Sequence, residues 1–415
     1  MKEKSSIIIE RTFAFNTINK VGGALKAIGL NPFSLNADKI IAKSVKKANF
    51  KGDLPPQLVE GLRQQVHSIN AESTANSFGE LAVKSMLERS FYNRLKIEQV
   101  LAQNPSIEQQ PITRPVFIIG MPRTGTTILH AMMHEDTANR SPLSWECLLP
   151  YPVPQPDTFK DNLQLKTVAK EFDQLFKLVP DLKKKHHMEV DSPQECLGIN
   201  MLDLNSFQTS AQVYIPSYMD WFFNTSDQTE TMRFHKRFLQ YLQSGGVKGD
   251  RWLLKSPVHL MRLKEIFDVY PDACIIMTHR APSKVVPSAS SLIASVRSLY
   301  SDHEDLKRTG KEQAALWSAY FNRFLEARKG LDKEAQILDL RFEDFVSDQV
   351  GTIQKIYSHF GWDLTETALG KMKNFLAQNP KDKHGVHTYS LEDFGLTEQG
   401  INTQFDNYIQ FLEKL

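Results

Sequence analysis

Cysteine is scarce in this chain, with three in 415 residues, at Cys147, Cys196 and Cys274. An odd number, widely separated and without metal-ligand spacing, excludes a disulfide framework and points to reduced thiols in a cytoplasmic protein. Cys274, inside an apolar run, reads as core packing. Long hydrophobic runs are missing as well. Charged residues stand close to Ile7, Ile8 and Ile9, and no apolar stretch there is long enough for a secretory signal or a membrane span. An excess of one charge is also lacking: 50 Lys and Arg against 48 Asp and Glu leave +2, which gives no reason to expect nucleic acid as the main partner. There is no internal repeat and no low-complexity tract. What is left, 41% hydrophobic and 24% charged, is the composition of an ordinary globular protein with chain enough for a sizeable core.

The most informative stretch is residues 115–130. Val116 to Ile119 is a short β-branched, apolar run of the kind buried on both faces of a parallel sheet. Gly120-Met-Pro-Arg-Thr-Gly-Thr-Thr127 then fits G-x-x-x-x-G-x-T, the spacing of a phosphate-binding loop whose Lys is replaced by Thr126. Gly120 and Gly125 let the backbone approach an anion, and amides at the start of the helix from Thr126 point at it. Arg123 restores a cation inside the loop, with a fork of donors suited to phosphate or sulfate oxygens. Two glycines and several threonines also make a plain tight turn. A nucleotide triphosphatase loop is the sharper rival, but the Lys that would reach the β- and γ-phosphates is absent, which argues against ATP hydrolysis.

Around this stretch the chain divides into recognisable parts. Residues 1–110 read as an N-terminal helical region, with Leu58, Leu62 and Val66 at helical spacing and a further helix from Phe78 through Arg94. Its first fifty residues are basic, with Lys20, Lys26, Lys39, Lys43, Lys46 and Lys47 among Phe13, Phe15, Leu25, Ile28 and Leu30. That mix suits weak contact with an anionic membrane surface, although a helix with a solvated face is the plainer reading. Residues 111–415 read as an α/β domain. Five prolines between 141 and 157 predict an irregular, rigid wall. Residues 157–250, with Phe172, Phe176, Tyr214, Tyr218, Trp221, Phe222 and Phe223, read as a helical cap shaping an apolar acceptor pocket, or as plain core. Further strands are predicted at 252–256, 272–278 and 335–340, with His279 and Arg280 at the C-terminal end of the second, where open parallel sheets bind ligands.

Together these pieces resemble the sulfotransferases that use 3′-phosphoadenosine 5′-phosphosulfate (PAPS), in particular a bacterial-type branch with an N-terminal helical domain. The loop 120–127 is similar to that family's 5′-phosphosulfate loop, with Arg for the Lys of cytosolic members. In Thr278-His-Arg-Ala-Pro-Ser-Lys-Val-Val-Pro-Ser288, the eight-residue offset of Arg280 and Ser288 matches the family's 3′-phosphate pair; Ala281 departs from the Asp of many relatives. Lys383-His-Gly385, followed by Tyr389-Ser-Leu-Glu-Asp-Phe-Gly395, is similar to the segment that closes over the donor nucleotide. The resemblance spans about residues 60–400. It implies a central parallel sheet with a P-loop-like turn and helices on both faces. It also implies PAPS as co-substrate without a metal, a small hydroxyl acceptor, and donor contacts from Arg123, Thr124, Gly125, Thr126, Thr127, Arg280, Ser288, Lys383, His384 and Gly385.

The chemistry adds two requirements. As the sulfuryl group leaves its phosphate, charge grows on the bridging oxygen, which Arg123 and the loop amides can stabilise. The acceptor hydroxyl must lose its proton to a general base. Glu146, held among prolines, is the first candidate; His259, beside Lys255, is the second; His187 and Glu195 are weaker. A P-loop kinase and an inactive nucleotide-binding protein of the same fold stand as alternatives.

Overall fold

The structure, a computed structural model, describes residues 7–31, 33–185, 189–379 and 389–415. Its centre is a sheet of five parallel strands: β1 (Val116–Gly120), β2 (Asn139–Arg140), β3 (Arg251–Lys255), β4 (Cys274–His279) and β5 (Ile337–Arg341), in the order β2-β3-β1-β4-β5. Register is set by pairs such as Val116 with Leu253 on one side and Val116 with Cys274 on the other. All five residues of β1 are buried, as an unbroken apolar run requires when both faces are covered. Successive side chains point to opposite faces. Phe117 and Ile119 join the larger core with Leu62, Phe91, Phe238 and Trp317, whereas Val116 and Ile118 pack with Met132, Ile356 and Met372.

Among the described residues, four α-helices precede the sheet: α1 (Phe13–Ala27), α2 (Ala37–Ala48), α3 (Pro56–Glu72) and α4 (Ser77–Gln103). Each starts where a capping signal stands in the sequence. Thr12, Asn36 and Asn76 accept amide hydrogens of the first turn, and Pro56 opens α3, where a missing N–H costs nothing. Residues of α2, α3 and α4 belong to the same core as Phe117, so the helical region and the sheet are packed as one. Between β2 and β3 the chain is mostly helical, including Leu163–Leu178, Cys196–Leu202, Pro216–Asn224 and Gln228–Ser244.

Three details differ from expectation. The proline-rich wall contains α6 (Ser144–Leu148), downstream of the loop helix α5 (Thr126–His134), because its prolines flank Ser144-Trp-Glu-Cys-Leu148 and none falls within it. After β3 the sequence reads as a helix from His259 to Tyr270, but the chain begins as a 3₁₀ turn, Pro257–Arg262, before regular helix at Leu263–Val269. The aromatic residues of the cap mostly pack on one another: Tyr218 and Phe222 are fully buried, with ring centroids 6.1 Å apart. They build core, which answers the acceptor-pocket expectation for these two in favour of packing.

Candidate active site

Because every strand is parallel, the C-terminal ends of β1, β3 and β4 share one rim, and the loop after β1 lies on it. Gly120 has φ 148°, and a Cβ there would lie 2.7 Å from the Thr278 carbonyl oxygen of β4, so no side chain fits. Arg123 and Gly125 also have positive φ, 69° and 86°. Thr124 secures the turn, its Oγ1 donating to the Met121 carbonyl at 2.7 Å and lying 2.6 Å from Thr278 Oγ1. The first hydrogen bond of α5 runs from Leu129 N to Gly125 O, so the amides of Thr126 and Thr127 precede the helical ladder and are oriented for an anion.

A second polar cluster stands one strand away. Arg280, immediately after β4, donates from Nη1 to the Arg123 carbonyl at 2.9 Å and lies over the Phe342 ring at 4.0 Å. Its Nε is buried without a partner. Burial lowers its proton affinity, an effect opposed by Tyr389 and Glu343 and reinforced by Arg123. Ser288, on the helix Pro282–Tyr300, receives Arg123 Nε at 3.3 Å and the Tyr389 hydroxyl at 2.5 Å. Two guanidiniums and two hydroxyls thus converge, a composition that suits a multiply charged anion. Tyr389 opens the segment that the family resemblance singles out as closing over the donor nucleotide, whereas Phe342 is not picked out by the sequence. Phe342 follows the end of β5, and an aromatic just beyond the next strand's C-terminus is the signal that would have found it.

On the other side of the loop, Lys255 ends β3 opposite Ile118 and is 3% exposed. Its Nζ pairs with Glu195 Oε1, whose side chain is 30% exposed. A buried cation therefore sits beside the phosphate loop with a carboxylate that solvent, or an acceptor, can reach.

The two leading base candidates are both fully buried. Glu146 is completely buried in α6: Arg140 Nη1 and Nη2 donate to its oxygens at 2.9 and 2.5 Å, and Leu143 N donates at 2.9 Å. These three donors tie Glu146 to Arg140 and to the start of α6, a grip that suits a structural task. His259 is completely buried with both ring nitrogens unpartnered, edge-on to Phe117 at 5.3 Å and to His235 at 5.9 Å. Phe117 lies in the middle of β1, so His259 packs against the face of the sheet. Burial, then His235 and Arg262, hold it well below the usual histidine range. Cys196, His235 and His259 bring three potential ligand atoms within 4.8 Å of one another. The Arg262 cation acts on all three, which opposes a metal ion there. Lys383, His384 and Gly385, and His187, fall outside the described residues. The three cysteines are free and buried.

A model of the sulfotransferase family matches residues 115–366, more than half of the chain. Among curated proteins, the omega-hydroxy-beta-dihydromenaquinone-9 sulfotransferase Stf3 of Mycobacterium tuberculosis is 26% identical over 306 residues, 71% of this chain and 74% of its own. Two solved structures are similar in fold over about nine tenths of this chain. The sulfotransferase STF1 of Mycobacterium tuberculosis has a TM-score of 0.80 at 28% identity, covering 90% of this chain and 99% of that one. The sulfotransferase STF9 of Mycobacterium avium has a TM-score of 0.83 at 25% identity, covering 91% and 96%. No helix among the described residues is long and apolar enough to cross a membrane.

Proposed function

The chain belongs to the sulfotransferase family and is a sulfotransferase; from that premise we propose that it moves a sulfuryl group from PAPS to the hydroxyl of a small, partly apolar acceptor. The observation that carries the donor assignment is the pair of anion sites on one sheet rim. The loop 120–127 suits a 5′-phosphosulfate, and the cluster of Arg280, Ser288, Tyr389 and Arg123 suits a 3′-phosphate. ATP has no group for the second site.

In this reading the acceptor oxygen attacks sulfur and a new S–O bond forms as the bond from sulfur to the bridging phosphate oxygen breaks. The departing adenosine 3′,5′-bisphosphate keeps that oxygen and its growing negative charge. The amides of Thr126 and Thr127 and the Lys255 ammonium are the donors for that charge, with Arg123 bridging the two anion sites. Glu195 takes the acceptor proton. It is preferred to Glu146 and His259 because it combines partial exposure with direct contact to the rim lysine. The menaquinone hydroxyl in the name of the mycobacterial relative supports an acceptor with an apolar body.

Incubation with sulfur-labelled PAPS and a solvent extract of membranes, followed by chromatography, tests the assignment. The expected result is a labelled product that requires the protein and is lost with Glu195→Gln. Label transfer that survives Glu195→Gln unchanged would reject the base; no labelled product from any hydroxyl-bearing fraction would reject the acceptor class.

A further inference from the structure

Helix α1 is inside out. Phe13 is 86% exposed, Val21 55%, Ile28 71% and Leu30 57%, and with Ile8 they make up half of the exposed large hydrophobic residues among those described. At 100° per residue, Phe13, Val21, Ala24 and Ile28 fall on one side of the helix, opposite Phe15 and Gly22, which face the protein. Phe15 packs on Phe78 of α4 and in a small cluster with Ile9, Val179, Leu182 and Leu299. A surface helix in water normally shows charge on this outward side, and clustered apolar exposure marks a contact surface.

The charge around the patch selects the partner. No Asp or Glu occurs between Glu10 and Asp38, whereas Arg11, Lys20 and Lys26 do. Lys20 is exposed beside the apolar face. Lys26 pairs with Glu80 of α4, and Arg11 with Asp302, so the acidic groups nearest the helix are already matched. We propose that the outward face of α1 docks on an anionic lipid bilayer, with Phe13, Val21 and Ile28 entering the headgroup boundary and Lys20 meeting lipid phosphates. A second copy of the chain fits less well, because a symmetric contact would set two such cationic faces together with no carboxylate between them. This surface is separate from the sheet rim, and the inference does not depend on the acceptor.

Sedimentation with phosphatidylglycerol–phosphatidylcholine vesicles tests it. Wild-type protein is expected to pellet with these vesicles and less with phosphatidylcholine alone. The triple variant Phe13→Ser, Val21→Ser, Ile28→Ser should weaken partitioning by about a hundredfold, and Lys20→Ala by about fivefold. Unchanged stabilisation by adenosine 3′,5′-bisphosphate confirms that both variants are folded. Wild-type protein that stays in the supernatant, or a folded triple variant that binds as tightly as wild type, overturns the proposal. So does a wild-type dimer in sedimentation velocity that the triple variant converts to monomer, which would give the face to a second copy.

Discussion

Replacing Arg280 with Ala should separate the two ends of the donor nucleotide. The guanidinium is fixed before a ligand arrives, by its hydrogen bond to the Arg123 carbonyl at 2.9 Å and by the Phe342 ring beneath it, and its buried Nε has no partner. A hydrogen bond to a charged group contributes about 1.5–3 kcal/mol, and each 1.4 kcal/mol is about tenfold in affinity. Arg280→Ala should therefore weaken adenosine 3′,5′-bisphosphate by roughly 10- to 150-fold while leaving 5′-AMP, which lacks the 3′-phosphate, within about twofold. Ser288→Ala, removing a neutral hydroxyl, should cost only about 2- to 10-fold. Titration calorimetry without added metal measures both ligands. Thermal unfolding gives the same answer: bisphosphate at a hundred times its dissociation constant stabilises by about 2.7 kcal/mol, and a hundredfold loss of affinity reduces that to about 0.4. Equal losses for both nucleotides would mean that Arg280 merely props up the loop through Arg123. No loss for either would place the 3′-phosphate elsewhere.

Glu195→Gln should depress turnover by about 10²- to 10⁴-fold with little change in bisphosphate affinity, measured as label transfer alongside calorimetry. Glu146→Gln should do the reverse, lowering the melting temperature while folded protein keeps its turnover; an inactive but fully stable Glu146→Gln would restore Glu146 as the base. Gly120→Ala should be recovered largely unfolded, because both its φ and the Thr278 carbonyl forbid a side chain, and a wild-type melting curve would refute that reading of the turn. Acid should destabilise the protein early. Burial holds His235 down to about 3 and His134 to about 4, below the ordinary unfolded value of about 6.5. The unfolded chain therefore takes up these protons first. Stability from both is complete above about pH 6.5 and falls by about 1.4 kcal/mol per pH unit for each histidine as pH drops toward 4. A melting temperature flat between about pH 7 and 5 would contradict this.

The four longer strands were legible because each is a β-branched or apolar run, and the loop because its glycines answer a fixed steric need. β2 was not, since two residues, Asn139 and Arg140, carry no periodicity. The convergence of Arg280 and Ser288 follows from their offset past one strand end, yet the hydroxyl of Tyr389 reaches Ser288 across 101 positions, a distance that no local pattern reports. The base was harder still. Nothing near Glu146 in sequence says that Arg140 will fold back to occupy it, and the partner that brings Glu195 to the rim, Lys255, is 60 residues away. Spacing reveals which groups can do the chemistry; which of them solvent or a substrate can reach is decided by packing.

The shared core also bears on how such a gene can be cut and rejoined. Gly61 of α3 has no room for a side chain because the Leu204 carbonyl presses against it, Gln65 donates to the same carbonyl at 2.7 Å, and Arg94 of α4 pairs with Asp203 in the interior. Severed at residue 110, the remaining body would carry an Asp203 stripped of Arg94 and a bare apolar wall. The helices from 37 to 103 and the sheet thus form one packed unit, and α1 is tied to it through Phe15 against Phe78 and Lys26 with Glu80 of α4.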